Sequence, residues 1–497
     1  MKYTKLITLA IFGALLVSLA GCNEVLENTE PATSVSGEAA LSSPDGVNAI
    51  RASMYSKIRE GFSFTTEYFI APSVFADETR NRPGSTRYQG LAEARGTFGR
   101  THIGNWGDVY NLIQDANLII GAVGEGVLEP EVLNQYRGEA LALRAFALKL
   151  AVRVYAYEPG NFGNGPEGNW DAGVVIVNEP VLDVSDAISR PRATVDEVYQ
   201  QIFADLNEAK GLLAGNNSNN SFVTEAFVDG LLARAHLFAG NWSEAASAAQ
   251  NAINNFPGTL QNTPETVANM FFENQGNHPE ALFKVVVNPD TENATGGGSW
   301  ANNGPGTYSS DGFLAQLPTQ FTLDKYGEGD YRNGWYQPCA ELQVNTGLTQ
   351  PTNCDGVNEN GLSSAKFNGT KGQSVDDLPY MRVAEMYIIW AEAAAKAAND
   401  PSAGVAPLQT LRDARNAGPV PAEALTSITA FEDFILDERI RELALEGHRF
   451  FDLKRLNRDV RNPDGSLKMR RDSYRILAPI GEGLINVNEL LVENPGY

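Results

Sequence analysis

The densest group of ionisable side chains lies in the stretch "RELALEGHRFFDLKRL", residues 441–456. Its members are Glu446, His448, Arg449, Asp452 and Arg455, which are residue types that general acid–base catalysis uses. Arg449 and Asp452, and also Asp452 and Arg455, are three residues apart, a spacing that forms ion pairs on one helix face. We therefore interpret this charged cluster as scaffold ion pairs rather than as a catalytic constellation.

Two other segments have the composition that sugar binding needs, namely flat aromatic side chains for ring faces and polar groups for hydroxyls. They are "FADETRNRPGSTRYQG" (residues 75–90, the first loop) and "GGGSWANNGPGTYSSDGF" (residues 296–313, the second loop). The candidate ligand-binding residues are Asp77, Arg80, Asn81, Arg82, Tyr88, Trp106, Trp300, Asn302 and Tyr308. Trp106 follows the first loop at the start of a predicted helix, so it can also be read as a core anchor.

Metal and cofactor motifs are not found in the sequence. The histidines His102, His236, His278 and His448 are scattered, without H-E-x-x-H or Cys/His spacing. The stretch "NCDGVNENG" could hold calcium but lacks the EF-hand pattern. The chain also lacks G-x-S-x-G, P-loop and dinucleotide fingerprints, so we expect no metal, no cofactor and no enzyme activity.

The N-terminus has the pattern of a lipoprotein signal. Lys2 and Lys5 precede an apolar run of about fourteen residues, which suits a secretory signal and is too short to span a bilayer. The run ends in "LAGC", which resembles a bacterial lipobox. We expect a signal peptide over residues 1–21, lipidation of Cys22 and a polar tether over residues 22–44; the alternative is an ordinary signal peptide with an incidental cysteine.

Charge and cysteine content narrow the possibilities further. The formal net charge of −23 argues against nucleic-acid binding and against holding an anionic membrane by charge. With Cys22 lipidated, Cys339 and Cys354 remain as an even pair in an oxidising compartment. A disulfide between them would contribute about 3 kcal/mol on the chain-entropy model; two free thiols are the alternative.

Helical patterns occupy both ends of the chain. The stretch "WGDVYNLIQDANLIIGAV" has apolar residues at i, i+3, i+4 and i+7, and Thr194 and Glu197 form a capping box. Further helices are predicted from residue 45, before Pro159, at 223–255, 380–399, 406–416 and 429–457. Residues 257–378 are irregular apart from one strand, "ALFKVVV", and are too long for a simple loop, which indicates a functional insertion.

One helix pair fits a tetratricopeptide repeat. If Gly240-Asn241-Trp242 is the turn, the small residues Ala233, Ala245, Ala249 and Ala252 fall where two helices must approach closely. Residues 386–418 resemble a second, looser copy, and the alternative is an unrelated helical hairpin. The predicted fold is mainly α, a tetratricopeptide-like scaffold with large irregular loop insertions and a few short strands.

Several stretches resemble the SusD/RagB family of outer-membrane nutrient-binding lipoproteins of Bacteroidota-type bacteria. They are "YRGEALALRAFALKLAVRVYAY", "RPRATVDEVYQQIFADLNEAKGLL", "LPYMRVAEMYIIWAEAAAKA", "ILDERIRELALEGHRFFDLKRLNR" and the terminal "NPGY", in the family's order. The resemblance implies a single SusD-like domain over residues 45–497, with a helical scaffold (45–256 and 379–460) and a ligand-side insertion (257–378). It also implies that ligand is bound in the zones of the two loops.

The resemblance implies a function as well. The protein is expected to be a lipid-anchored lipoprotein at the surface of the outer membrane. There it would capture glycans and deliver them to a SusC-like TonB-dependent transporter. A peptide-capturing member of the family, a surface scaffold that binds no ligand and a surface glycoside hydrolase are the alternatives; hydrolysis would need two carboxylates about 5–9.5 Å apart across the ligand.

Overall fold

Helices form most of the structure, a computed structural model that describes residues 37–60, 62–93, 102–165, 167–271, 278–287, 314–338, 361–367 and 377–497. The helices are α1 (Gly37–Leu41), α2 (Pro44–Glu60), α3 (Phe62–Thr65), α4 (Ala71–Phe75), α5 (Gln89–Glu93), α6 (Trp106–Gly121), α7 (Pro130–Tyr155), α8 (Val195–Leu212), α9 (Glu225–Ala239), α10 (Trp242–Asn255), α11 (Pro264–Asn269), α12 (Gln320–Leu323), α13 (Val383–Ala398), α14 (Val405–Ala414), α15 (Ile428–Leu443), α16 (Arg449–Arg455) and α17 (Glu482–Val487). A π-helical turn, Thr66–Ile70, joins α3 to α4. The predicted mainly helical fold is confirmed.

The long helix α7 lies between its sequence neighbours α6 and α8 and packs against both. It begins at Pro130, where a missing N–H costs no helical hydrogen bond. The predicted capping box opens α8: Thr194 Oγ1 accepts from Glu197 N (3.2 Å), and Glu197 Oε2 accepts from Thr194 N (2.8 Å). The apolar face predicted for α6 is buried at Val109, Leu112, Ile113, Ala116 and Ile119.

The helix pair α9–α10 has the predicted tetratricopeptide-like geometry. Gly240 adopts φ 75° and ends α9, and Trp242 begins α10 two residues later. The alanines at the predicted contact positions are all fully buried: Ala233, Ala245, Ala249 and Ala252. Helix α10 also packs against α13, the first helix of the looser copy, so the small residues allow three helices to stack closely.

One helix prediction is wrong in detail, because the stretch 429–457 is divided into α15 and α16. In the connection, Leu445 has φ 68° and Gly447 has φ 84°. A Cβ on Gly447 would lie 1.8 Å from the carbonyl oxygen of Tyr68 in the π-helical turn. The chain breaks here because a distant segment of backbone occupies the space that a continued helix with side chains would need.

A buried ion-pair network ties the helices of the C-terminal half to the insertion. Glu442 on α15 accepts hydrogen bonds from Arg382 Nη1 (2.8 Å) and Arg415 Nη2 (2.9 Å), and Arg332 Nη1 lies 3.1 Å away. The network also contains Glu280, Asp330, Lys366, Glu438 and Glu446. Glu442 and the three arginines around its carboxylate are all fully buried, so hydrogen bonds to these partners replace the water that each charge lost on folding.

The strands form four antiparallel pairs in the described part of the chain. They are β1 (Thr79–Asn81) with β3 (Gln316–Pro318), β2 (Ala281–Val285) with β6 (Leu378–Arg382), β4 (Tyr336–Pro338) with β5 (Leu362–Ser364), and β7 (Val460–Arg461) with β8 (Leu467–Met469). The strand predicted in "ALFKVVV" is therefore confirmed as β2. Its pairing with β6 brings together the two ends of the predicted insertion.

The N-terminal part of the described chain is helical from Gly37, within the segment predicted as a tether. Leu41, at the end of α1, is 5% exposed and packs with Val47 and Val123 in a small apolar cluster. The folded body therefore includes residues before 45. No described helix is both long enough and apolar enough to cross a membrane.

Candidate functional site

The first loop meets the segment that directly follows the second loop at the β1–β3 pair. Strand β1 lies within the first loop, and β3 begins three residues after the second loop ends. The amide of Arg82 donates to the carbonyl of Ala315 (3.0 Å), and Thr79 Oγ1 donates to Gln316 Oε1 (3.0 Å). The side-chain amide of Gln316 also donates to Asn81 Oδ1. Two segments that are about 230 residues apart in the chain are thus in direct contact at this pair of strands.

Two threonines after β3 fasten this junction to the first loop. Thr319 donates its hydroxyl to the carbonyl of Asp77 (2.8 Å), and its amide donates to the carbonyl of Glu78 (3.0 Å). The hydroxyl of Thr322 also donates to the carbonyl of Glu78 (2.9 Å). All of these hydroxyls are buried, where a satisfied hydrogen bond is worth more than at the surface. The residues after β3 and the first loop therefore form one hydrogen-bonded base at this junction.

Asp77, which belongs to this base, forms a buried ion pair with Arg449. Its carboxylate accepts two hydrogen bonds, from Arg449 Nε and Nη2, each 2.8 Å long. Asp77 is 5% exposed. The Arg449–Asp452 ion pair predicted from helix spacing is therefore wrong, whereas the predicted Asp452–Arg455 pair is confirmed at 2.9 Å. Asp452 also accepts from Arg439 (2.6 Å). The long-range pair wins because the bidentate geometry satisfies a buried guanidinium.

The other first-loop candidates are more accessible. Arg80 is exposed on β1, and Asn81, Arg82 and Tyr88 are half-buried. Tyr88 has φ 63°, and its carbonyl accepts from Ala92 N (2.9 Å) at the start of α5. These four residues lie on the junction itself or on the turn that leads from it.

Trp106 has a different environment. Its ring lies 5.1 Å from the ring of Tyr110 and 5.1 Å from that of Tyr155, and it packs against the main core. The hydroxyl of Tyr110 donates to the carbonyl of Val175 (2.6 Å). These contacts match the interpretation of Trp106 as a core anchor at a helix start.

A cleft of about 480 Å³ opens beside Asp77, within the size range of small-ligand pockets. Its aromatic surface is the half-buried ring of Phe321 on α12, which has Lys325 Nζ 4.4 Å from its centre. Polar groups around it include Asp433, Arg449, Arg458, Asp459, Arg461 and Asp464. One ring face surrounded by guanidinium and carboxylate groups has the chemistry that a sugar requires.

The cleft includes residues that the sequence analysis missed. Phe321 lies on α12, three residues after the end of β3, and the turn between β7 and β8 supplies Pro463 and Gly465. The turn sequence "NPDGS" is a readable hairpin signal, and an aromatic residue eight positions after the second loop is a weaker one. Neither indicated that the two segments meet, because that contact depends on the tertiary structure.

Several candidates lie outside the described residues, namely Cys22, Trp300, Asn302, Tyr308, Cys339 and Cys354. The lipidation, the disulfide and the ligand contacts of the second loop therefore stay predictions. Within the described ranges, no cluster of three or more His, Cys, Asp or Glu side chains has the arrangement of a metal site.

Glu78, the neighbour of Asp77, gives this base a testable pH dependence. Burial raises the pKa of the Glu78 carboxyl from 4.5 to about 7. An acid that holds its proton more tightly when folded stabilises the fold below its unfolded pKa and loses that contribution as the pH rises through the folded pKa. We therefore compare the free energy of unfolding of Glu78→Gln with that of the wild type. We expect the difference in favour of Glu78→Gln to increase by about 1–3 kcal/mol from about pH 5 to about pH 8.

Urea unfolding at the two pH values measures this difference. Glu93→Gln on α5 is the matched control, since Glu93 is exposed, and we expect it to change stability by less than about 0.5 kcal/mol at either pH. An advantage of Glu78→Gln that is equal at both pH values would show that the Glu78 carboxyl does not titrate in this window.

Two family sequence profiles match the chain. The first, described as "SusD family", matches residues 336–497, and the second, described as "Starch-binding associating with outer membrane", matches residues 62–237. SusD-like protein P38 of Formosa agariphila is 25% identical over 92% of this chain and 93% of that protein.

Solved structures show the same fold. A SusD superfamily protein from Bacteroides thetaiotaomicron superposes with a TM-score of 0.74 at 21% identity, over 91% of this chain and 100% of that one. A laminarin-binding SusD-like protein superposes with a TM-score of 0.69 at 20% identity, over 92% of this chain and 100% of that one. The structure is thus a SusD-like fold with a tetratricopeptide-like helical scaffold. The chain belongs to the SusD/RagB family, whose members are binding proteins.

Proposed function

We propose that this protein is a lipid-anchored binding protein of the outer-membrane surface that captures oligosaccharides and delivers them to a SusC-like TonB-dependent transporter. The observation that carries the proposal is the β1–β3 pair, which places the first loop and the exit of the second loop together in a SusD family member. The description of the matching family as starch-binding, and the laminarin-binding relative, support a glycan as the ligand.

The cleft beside Asp77 supports capture without catalysis. Its charged groups are already held by the protein: Arg449 by Asp77, and Arg458 by Glu432 (2.9 Å) and Asp433 (2.8 Å). Groups fixed in this way offer hydrogen bonds to hydroxyls with little loss of side-chain entropy. We infer that Phe321 supplies one ring platform, while Tyr88 and Trp300 supply others from the two loops.

The lipobox-like "LAGC" supports an anchor at Cys22, followed by one SusD-like domain. In this proposal the lipid chains hold the protein to the membrane, and the net charge of −23 keeps the body in solution. The surface location and the SusC-like partner rest on the family. Protease added to intact cells should cleave the protein, and gentle extraction of the outer membrane should recover it with a TonB-dependent receptor.

Calorimetry on the purified protein tests the ligand, with a panel of soluble plant, algal and host glycans and with peptides alongside. We expect one glycan class to bind. We expect Tyr88→Ala combined with Trp300→Ala, and separately Phe321→Ala, to weaken that binding at least about 10-fold, which is 1.4 kcal/mol. Trp242→Ala, at the start of α10 in the scaffold, is the aromatic control and should bind as the wild type does.

The outcomes separate the alternatives. Binding of peptides and no glycan would move the protein to a peptide-capturing function. Retention of the transporter without any ligand would identify a scaffold, and release of shortened sugars from a bound glycan would identify a hydrolase. Equal glycan affinity in all variants would remove the two loops and the cleft from the site.

A further inference from the structure

A second, smaller cavity of about 30 Å³ lies among α7, α9, α13 and α16, apart from the cleft beside Asp77. Its walls are largely apolar and aromatic: Tyr68, Phe146, Leu150, Leu231, Phe238 and Phe451. A cavity of this volume has room for about two waters or one small ion, and none for a sugar ring. The charged residues that line it are Lys149, Arg153, Arg234, Glu385 and Asp452.

Both carboxylates of the cavity already have arginine partners. Glu385 accepts from Arg234 Nη2 at 2.5 Å. Asp452 accepts from Arg439 Nε at 2.6 Å and from Arg455 Nε at 2.9 Å. Arg234 is saturated as well, because its other donors bind the hydroxyl of Tyr68 (2.9 Å) and the carbonyl of Tyr380 (2.8 Å). Both carboxylates are therefore hydrogen-bonded to other arginines, and the two remaining cations that line the cavity form no ion pair with either of them.

Lys149 and Arg153 are those cations, one helical turn apart on α7. Among the described residues, neither has a carboxylate within ion-pair distance. Lys149 is 9% exposed with Nζ 3.6 Å from the ring centre of Phe238, and Arg153 lies 4.1 Å from the ring centre of Phe451. Ring contacts offset part of the lost hydration of a buried cation, and two like charges so close still repel each other.

The histidine that lines the cavity, His448, adds no further charge. Burial, with Arg234 and Arg439 as the next causes, holds the pKa of His448 well below its usual range, so the ring is neutral. Counting the lining groups with their ion-pair partners and with the Lys454–Glu158 pair, which also acts on Lys149, gives six cations (Lys149, Arg153, Arg234, Arg439, Arg455, Lys454) and four carboxylates (Glu385, Asp452, Glu392, Glu158). A local excess of positive charge inside a protein of net charge −23 calls for a counter-ion.

We propose that this cavity is a binding site for one small monovalent anion, of the size of chloride or formate, held between the Lys149 ammonium and the Arg153 guanidinium. The anion acts as a structural counter-ion for the two cations of α7 at the place where α7 packs near α9 and α16. Burial, with Arg153 as the next cause, holds the pKa of Lys149 well below its usual range, and an adjacent anion opposes that shift.

Bromide is the first probe, because its anomalous scattering locates it in a crystal of the full protein. We expect an anomalous peak in the cavity beside Lys149 and Arg153. If bromide occupied other sites of the same crystal and gave no peak in this cavity, the proposal would be overturned. Chloride and sodium formate, titrated separately from about 5 to about 200 mM at constant ionic strength, should each raise the unfolding midpoint saturably.

Variants distinguish the site from a general salt effect. We expect Lys149→Met to weaken anion binding at least about 10-fold, the loss of one charge-assisted hydrogen bond, while Lys149→Arg retains it. Arg471→Met removes an exposed positive charge and should respond to anions as the wild type does. The same anion response in Lys149→Met as in Arg471→Met would contradict the proposal, and the bromide peak in the wild type decides it if Lys149→Met does not fold.

Discussion

Glu442→Gln is expected to lower the free energy of unfolding by about 3–5 kcal/mol, since it breaks a buried ion network on one side only. The carboxylate of Glu442 is bound by three arginines, Arg332, Arg382 and Arg415, and all four side chains are fully buried. A neutral amide cannot balance the charges of the arginines. Its NH₂ group is also a hydrogen-bond donor, and it would face the N–H donors of the guanidinium groups. Urea unfolding of the purified protein measures the loss.

Asp433→Asn on the same helix is the matched control. Asp433 also pairs with an arginine, at 2.8 Å from Arg458, but its side chain is 59% exposed. Water compensates an exposed charge, so we expect a loss of no more than about 1 kcal/mol. Similar losses for Glu442→Gln and Asp433→Asn would mean that burial of the network contributes little to the stability of the fold.

Gly447→Ala is the other substitution with a large expected effect, about 2–5 kcal/mol, from a left-handed backbone and from overpacking together. Gly447 has φ 84°, and an added Cβ would lie 1.8 Å from the Tyr68 carbonyl oxygen and 2.8 Å from its carbon. Because the neighbouring atoms are backbone, they cannot rotate away as a side chain could. Denaturant unfolding measures the loss.

Gly465→Ala separates the two causes. Gly465 has a similar φ of 81° in the β7–β8 turn, with no atom within 4 Å of an added Cβ. We expect only the backbone cost, about 1–2 kcal/mol. If both alanine variants lost the same stability, the close approach of Gly447 to Tyr68 would not be a determinant of the fold.

The buried face of α6, the capping box of α8 and the alanine-lined pair α9–α10 were all predictable. Each depends on residues within one or two helical turns, where the 3.6-residue period relates sequence positions directly to positions in space. The break between α15 and α16 was not predictable in this way. It depends on the backbone of Tyr68, which is nearly 380 residues away in the chain.

The candidate site divides in the same way. The composition of the first loop indicated polar and aromatic groups, and the structure places them at a junction with the exit of the second loop. Sequence alone did not show that Asp77 is committed to Arg449, 372 residues away, or that Phe321 completes a cleft beside them. The cation that pairs with a given carboxylate is set by distances in the folded protein, and a local sequence pattern gives no information about those distances.

By itself, the sequence determined the class of protein: a helical scaffold with small-residue contacts, an irregular insertion and the motifs of the SusD/RagB family. The tertiary structure alone decided which charged side chains lie next to one another in the folded protein. It gathers Glu442 and its arginines into one buried network and leaves Lys149 and Arg153 together at a small cavity. The physical reason is that helix formation is governed by local hydrogen bonds and periodicity, whereas the pairing of buried charges is governed by long-range contacts that exist only in the folded chain.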